Sequence, residues 1–187
     1  MPTPATPTAS TTATPTPGAE RDENLRRILG VVGEKFSAQP ERATVRFRAS
    51  GVGGDGVRSD IRIGRHELVV DEPPALAGQD AGPSPVETAL AALLSCQVVT
   101  YRLWAAKLGI PLDDVSVDVE GAIDLRRFYG IDDSGRAGFG DVRLVVTLSG
   151  PAGEERYREL AAAVDEHCPV LDLFRNPTPV TVDHVTA

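Results

Sequence analysis

The 187-residue chain carries 19 Lys and Arg against 27 Asp and Glu, a net charge of −8. That acidity gives nucleic-acid binding no electrostatic support, and two cysteines far apart in sequence form neither a zinc pattern nor a small disulfide scaffold. With 41% hydrophobic and 25% charged residues the length suits one domain with an appended segment and a genuine core.

Residues 1–18 are almost entirely Pro, Thr, Ala and Ser. Such a segment buries too little surface to offset its ordering entropy, so a disordered tail is expected, either passive or a glycosylated or partner-binding one. It lacks the apolar stretch of a secretory signal, and a cytoplasmic location is the expectation. A helical segment follows over 19–40, where Leu25, Ile28, Leu29, Val32 and Phe36 form one stripe. That stripe would pack on the main domain, 41–187, or across to a second subunit.

In Thr44–Ala49 the residues Val45, Phe47 and Ala49 alternate with arginines, the pattern of a half-buried strand. GVGGDG, Gly51 to Gly56, superficially matches a dinucleotide-binding glycine pattern. That pattern needs a helix after it, whereas Val57–Ile63 reads as another strand, so a glycine-rich hairpin turn is expected. Gly64-Arg65 turns into a third strand, His66–Asp71, and a Pro/Gly-rich loop leads to Ser84.

The stretch Ser84–Gly109 predicts a long helix. Ser84 and Glu87 form a capping-box pair, Pro85 takes the first helical position, and Gly109 suits the C-terminal stop. Val86 to Thr100 is apolar on every side, as in a helix buried all round. At roughly 36 Å it crosses a small domain. Glu87, Arg102 and Lys107 interrupt the run, so a core helix is expected rather than a membrane span. Cys96 lies in its middle.

Val115–Glu120 and Asp141–Leu148 alternate cleanly and predict two antiparallel strands. The connection 122–140 holds Leu125, Phe128, Tyr129 and Phe139, and would be a lid, a pocket wall or a flap over the sheet edge. Glu154–His167 reads as an amphipathic helix striped by Tyr157, Leu160, Ala161 and Val164. Pro169 would open a short new turn with Cys168 at its N-cap, and Pro179–His184 would be a closing strand. The fold class is α+β: antiparallel sheets around a long buried central helix.

A cysteine at a helix N-terminus gains thiolate character from the helix dipole, a placement Cys168 has and Cys96 lacks. Each cysteine alone reads equally as a small buried hydrophobe. Glu87 lies nine residues before Cys96, about 14 Å away along the helix and half a turn round. It is therefore the cap acid, or it serves a site across an interface. His66, His167 and His184 read as solvated or satisfied histidines; His167 is poorly directed to act as a base for its neighbour Cys168.

The run GPSPVETALAALLSCQ, followed about seventy residues later by HCPV, resembles the OsmC/Ohr family of thiol-dependent peroxidases that reduce organic hydroperoxides. The likeness runs from about Ala43 to the C-terminus, in a branch with an extra N-terminal helix and a longer mid-chain loop. It implies a peroxidatic Cys96 oxidised to a sulfenic acid and a resolving Cys168 that closes a disulfide. It also implies an intertwined homodimer with interfacial sites, an organic hydroperoxide substrate, no cofactor or metal, and an external dithiol reductant, lipoyl-type or other. Two positions depart. The family's glutamate ten residues before the cysteine is Val86 here, with Glu87 one place later. Its arginine in the first hairpin turn is missing from GVGGDG, Arg58 being the nearest candidate. Without that cation Cys96 would be a less ionised, slower thiol. The resemblance therefore leaves three activities: a peroxidase, a small-molecule-binding dimer on the same fold, or a redox sensor.

Overall fold

The computed structural model describes residues 17–186. The tail expected over 1–18 lies outside them, except that Pro17 and Gly18 already belong to helix α1, Pro17–Ala38. Strands β1 (Ala49–Gly53), β2 (Ser59–Ile63) and β3 (His66–Val70) form one antiparallel sheet. Helix α2 (Pro85–Leu108) follows, then the hairpin β4 (Asp114–Ile123) and β5 (Phe139–Ser149). Helices α3 (Glu154–His167) and α4 (Pro169–Arg175) complete the ordered elements. The fold is α+β, as expected.

Helix α2 is punctuated as its sequence requires. The Ser84 hydroxyl accepts from the Glu87 N–H, and the Glu87 carboxylate accepts from the Ser84 N–H at 2.7 Å, a complete capping box. At the other end Gly109 takes φ 63°, and the Ile110 N–H reaches the Ala105 carbonyl at 2.9 Å. That is a Schellman stop, with Ile110 itself in the core. One face of α2 (Leu93, Gln97, Thr100, Tyr101, Ala105 and Ala106) is buried against β4, α3 and α4. Val115 and Val117 of β4 and Leu160 and Val164 of α3 close over it.

The expectation of burial all round is corrected. Ala91, Ala92, Ser95 and Val99 form an exposed stripe on the opposite face, because a single chain has only one layer of elements to set against the helix. By length and hydropathy α2 would also qualify as a membrane span, yet its inner face is built into this core.

Three strand limits differ from the sequence reading. Pairing in β1 begins at Ala49, opposite Ile63; Arg48 would face Gly64, which is already in the β2–β3 turn. Residues 44–48 therefore run unpaired, with Phe47 92% exposed. For the same reason Gly51–Gly53 lie in β1, and the turn is Gly54–Arg58, closed by Gly54 N–H to Arg58 carbonyl. The closing strand over Pro179–His184 does not form: no strand is assigned there and Val180 and Val182 are exposed. Alternation marks a segment fit for a sheet, but a ladder needs a free edge within reach, and this chain offers the segment none.

Of the connection's expected roles the structure supports a pocket wall: Arg136 and Gly138 line a cavity, while most of 124–138 is exposed. Arg126 chelates Asp124, whose carboxyl is held at about 2, and the aromatic rings of Phe128 and Tyr129 point to solvent. Helix α1 lies on α2, and Arg21 donates to the Leu112 carbonyl at 2.5 Å. Ile28 and Val31 on its outer side are exposed.

The loop Asp71–Pro83, which swings the chain from the first sheet into α2, is tied by one buried carboxylate. Asp71 accepts from the N–H groups of Glu72 (2.9 Å), Gln79 (2.9 Å) and Ala81 (3.2 Å). The close turn also requires glycine at 78, where any Cβ would collide with the Glu72 carbonyl. These three donors, Gln79 foremost, hold the Asp71 carboxyl below the usual carboxylate range. Because its folded value lies below the unfolded one, its contribution is complete above the unfolded value of about 3.9 and fades as pH falls through the folded value. Asp71→Asn should therefore lower the melting temperature at neutral pH, with the gap to wild type closing below about pH 4 in a thermal-melt series.

Candidate active site

The site is built where three helices meet. Cys96 sits in the middle of α2, and α3 ends one residue before Cys168. Cys168 has φ −81° and ψ 111°, extended values that make it at once the C-cap of α3 and the N-cap of α4. Pro169 follows at the first position of α4, where its missing N–H costs nothing. This kink drops Cys168, 2% exposed, onto α2. The two sulfurs lie 3.4 Å apart although 72 residues separate them in sequence. Both cysteines are free thiols. A disulfide needs about 2.05 Å between sulfurs, so a closure of roughly 1.4 Å joins them.

The surroundings of Cys96 act in opposite directions. Burial, the largest influence, pushes its thiol up from the ordinary value, and the neighbouring Cys168 thiol adds to this. The nearby Val170 N–H and Thr100 hydroxyl act the other way, the hydroxyl itself donating to the Cys96 carbonyl at 2.7 Å. The net direction is upward, and none of these leading influences is a cation. Val170 lies in the first turn of α4, where backbone N–H groups have no partner within the helix.

Of the other two residues singled out from sequence, neither is joined to the sulfur pair in the structure. Glu87 is spent in its cap, and its hydrogen bonds to Ser84 lower its carboxyl pKa. Arg58 leaves the first hairpin turn to pair with Asp60 at 2.5 Å, on a sheet that makes no extensive contact with the helices. Thr100 and Val170 were not legible beforehand. The spacing of Thr100, one helical turn after Cys96, is the only sequence signal for it, and Val170 contributes a backbone group that no side-chain pattern reveals.

One turn from the thiols, Leu93 and Leu171 line a cavity of about 420 Å³. Val142, Leu144, Phe139 and Phe174 complete its apolar wall; the two phenyl rings stack at 6.3 Å, and Arg136 and Arg175 also line it. His167 is exposed, meets Trp104 with ring centroids 4.0 Å apart at a 37° tilt, and bonds the Ala163 carbonyl through Nδ1 at 2.7 Å. It is thus a packed histidine. Among the described residues no cluster of His, Cys, Asp or Glu could hold a metal ion.

Fold and site together define a class: an α+β domain that brings two free thiols together on its central helix. The sequence profile of the family described as OsmC-like protein matches residues 78–183, from the loop before α2 to the C-terminal segment. The chain belongs to the OsmC-like family. Among solved structures it is similar to an OsmC-like protein of Mycoplasma pneumoniae, at 18% identity and TM-score 0.61 over 70% of this chain and 88% of that one. It is also similar to an organic hydroperoxide resistance protein of Legionella pneumophila, at 23% identity and TM-score 0.55 over 70% and 90% of the two chains. A third, an organic hydroperoxide resistance protein of Elizabethkingia anophelis, gives 20% identity and TM-score 0.55 over 71% and 89%. No curated protein matches the sequence. At these identities the likeness establishes the fold.

The geometry makes a prediction independent of substrate. Mild oxidation with diamide should remove both titratable thiols and two hydrogens of mass from each chain, with the Cys96–Cys168 linkage recovered by peptide mapping. Linkage mainly between chains would contradict it.

Proposed function

We propose that the protein is a thiol-dependent peroxidase that reduces organic hydroperoxides through Cys96 and Cys168. The observation that carries this reading is the 3.4 Å approach of the two free thiols. The Cys96 thiolate attacks the terminal oxygen of ROOH; the O–O bond breaks, the alcohol leaves after taking a proton, and Cys96 becomes a sulfenic acid. The Cys168 sulfur then displaces hydroxide from that sulfenic acid, giving water and the disulfide. A dithiol, lipoyl-type or other, reduces the disulfide by exchange and is itself oxidised, so no bound cofactor enters the cycle. The cavity one turn from the pair, with Leu93, Leu171 and Phe174 on one part of its wall and Arg136, Asp141 and Arg175 on another, would take the organic part of the peroxide on its apolar part. A cytoplasmic setting, reducing at rest, suits thiols that must start each cycle free.

The same reading includes a homodimer. Exposed apolar groups lie on the α2 stripe, on residues 44–48 and on the C-terminal segment, and the first sheet projects without covering its own chain. In a dimer the Val180–Val182 segment would find a strand edge, and Glu87 and Arg58 could serve the partner's thiol pair. A specific observation favours a second reading, a binding or redox-sensing dimer: burial raises the Cys96 thiol and no cation offsets it.

Cumene hydroperoxide supplied with dihydrolipoamide separates the readings. Cys96→Ser should reduce turnover to background. Cys168→Ser should allow one equivalent of peroxide to be consumed and leave a sulfenic acid that dimedone traps. Equal, negligible rates for wild type and Cys96→Ser would favour the binder. Disulfide formation without recycling would favour the sensor. Sedimentation should give twice the chain mass, and a monomer at micromolar concentration would remove the interfacial roles of Glu87 and Arg58.

A further inference from the structure

The connection between β4 and β5 carries three arginines, and two of them are spent on the loop itself. Arg126 pairs with Asp124 and Asp132, and Arg127 donates to the carbonyls of Asp133 and Gly135. The third, Arg136, makes no hydrogen bond or ion pair among the described residues. Its guanidinium folds over Gly138, with Nη2 3.5 Å from the place a Cβ there would occupy, and both residues line the 420 Å³ cavity near the thiols. That cavity has a closed end and an open one. Leu93 is 0% exposed and Leu171 6%, each three residues from a cysteine, whereas Arg136 and Arg175 are exposed. The apolar wall is built with the help of Gly121: a Cβ there would meet the Phe139 ring at 2.8 Å, and that ring stacks with Phe174. Arg175 is already held by Asp165 at 3.1 Å. Asp141, the carboxylate of the wall, precedes Val142, and alternation along β5 turns its side chain to the face opposite Val142 and Leu144. Arg136 is thus the uncommitted cation at the mouth.

We propose that this cavity takes an amphiphilic carboxylate, its hydrocarbon part against Leu93, Leu171 and the two phenyl rings and its carboxylate on Arg136 at the mouth. A guanidinium presents parallel N–H donors that match a carboxylate, and an uncommitted one gives up no existing partner to bind it. One free cation on a chain of net charge −8 suits a single negative charge better than a dianion. Because the closed end adjoins the thiols, the end of the ligand remote from its carboxylate is the one presented to them. On the peroxidase reading, the preferred substrate is then a hydroperoxide carrying a carboxylate at a distance from its O–O group, and Arg136 is a specificity-determining residue. That consequence rests on the peroxidase reading; carboxylate binding in the cavity does not.

The test compares 4-isopropylbenzoate with its uncharged analogue 4-isopropylbenzamide, each titrated against the reduced full chain by ligand-observed NMR. The benzoate should bind about fivefold tighter, the worth of one good exposed ion pair, and the difference should shrink in about 1 M salt. Arg136→Gln should abolish the preference and Arg136→Lys should retain part of it. Arg143→Gln, which alters an exposed arginine paired with Glu120, should leave it whole. Phe174→Ala should weaken both probes alike. Equal affinity for the two probes, a preference that survives Arg136→Gln, or binding indifferent to Phe174→Ala overturns the proposal. Cumene hydroperoxide and its 4-carboxy derivative, supplied with dihydrolipoamide, keep the two readings apart. In wild type kcat/KM should favour the carboxylated peroxide by about fivefold, and in Arg136→Gln that ratio should fall to about one. A benzoate preference with no Cys96-dependent turnover sustains the carboxylate site and sinks the peroxidase. Turnover of both peroxides with no preference in binding or rate does the reverse.

Discussion

The structure depends on the break between α3 and α4. Cys168 caps the end of one helix and the start of the next, and Pro169 opens the new one. Without the break, α3 would continue past α2 and carry its thiol away from Cys96. With it, one local feature delivers the second sulfur and brings the first turn of α4 beside Cys96. The rest of the core supports that meeting. Leu160 and Val164 seat α3 on α2, Leu171 seats α4, and Val115 and Val117 close the other flank.

The electrostatics of the pair are those of a dry site. Desolvation disfavours the thiolate, and the offsetting groups are neutral dipoles rather than a guanidinium. A family pattern that places an arginine in the first hairpin turn would tune the thiol by charge; here the arginine at the end of that turn, Arg58, is paired with Asp60. Dipoles fixed in a low-dielectric interior are stronger than the same groups in water, but each acts over a single hydrogen-bond length. Position therefore matters more than number in this site.

The arrangement also explains why much apolar surface is left uncovered in a single chain. The site occupies the inner face of α2, against α3, α4 and the second sheet, while the outer stripe of small residues has nothing over it. The first sheet extends away from this body on a loop held by the Asp71 carboxylate. Its strands satisfy one another's hydrogen bonds, but their apolar side chains, Val52 and Ile63 among them, remain exposed.

The sequence by itself determined the parts governed by neighbours along the chain. The capping box at Ser84 and Glu87, the stop at Gly109, the alternation of β4 and β5 and the N-cap placement of Cys168 all rest on contacts within a few residues, and all could be read. The motif around Cys96 and Cys168 likewise carried the family. What only the tertiary structure decided were matters of distance and partnership. The 3.4 Å between two sulfurs, the arrival of the first turn of α4 beside Cys96, and the commitment of Arg58 to Asp60 depend on how elements dock. The failures have the same origin. Residues 44–48 and Pro179–His184 carry strand patterns, but a strand exists only where a neighbour presents an edge in register, and alternation along one segment says nothing of the edge it will meet.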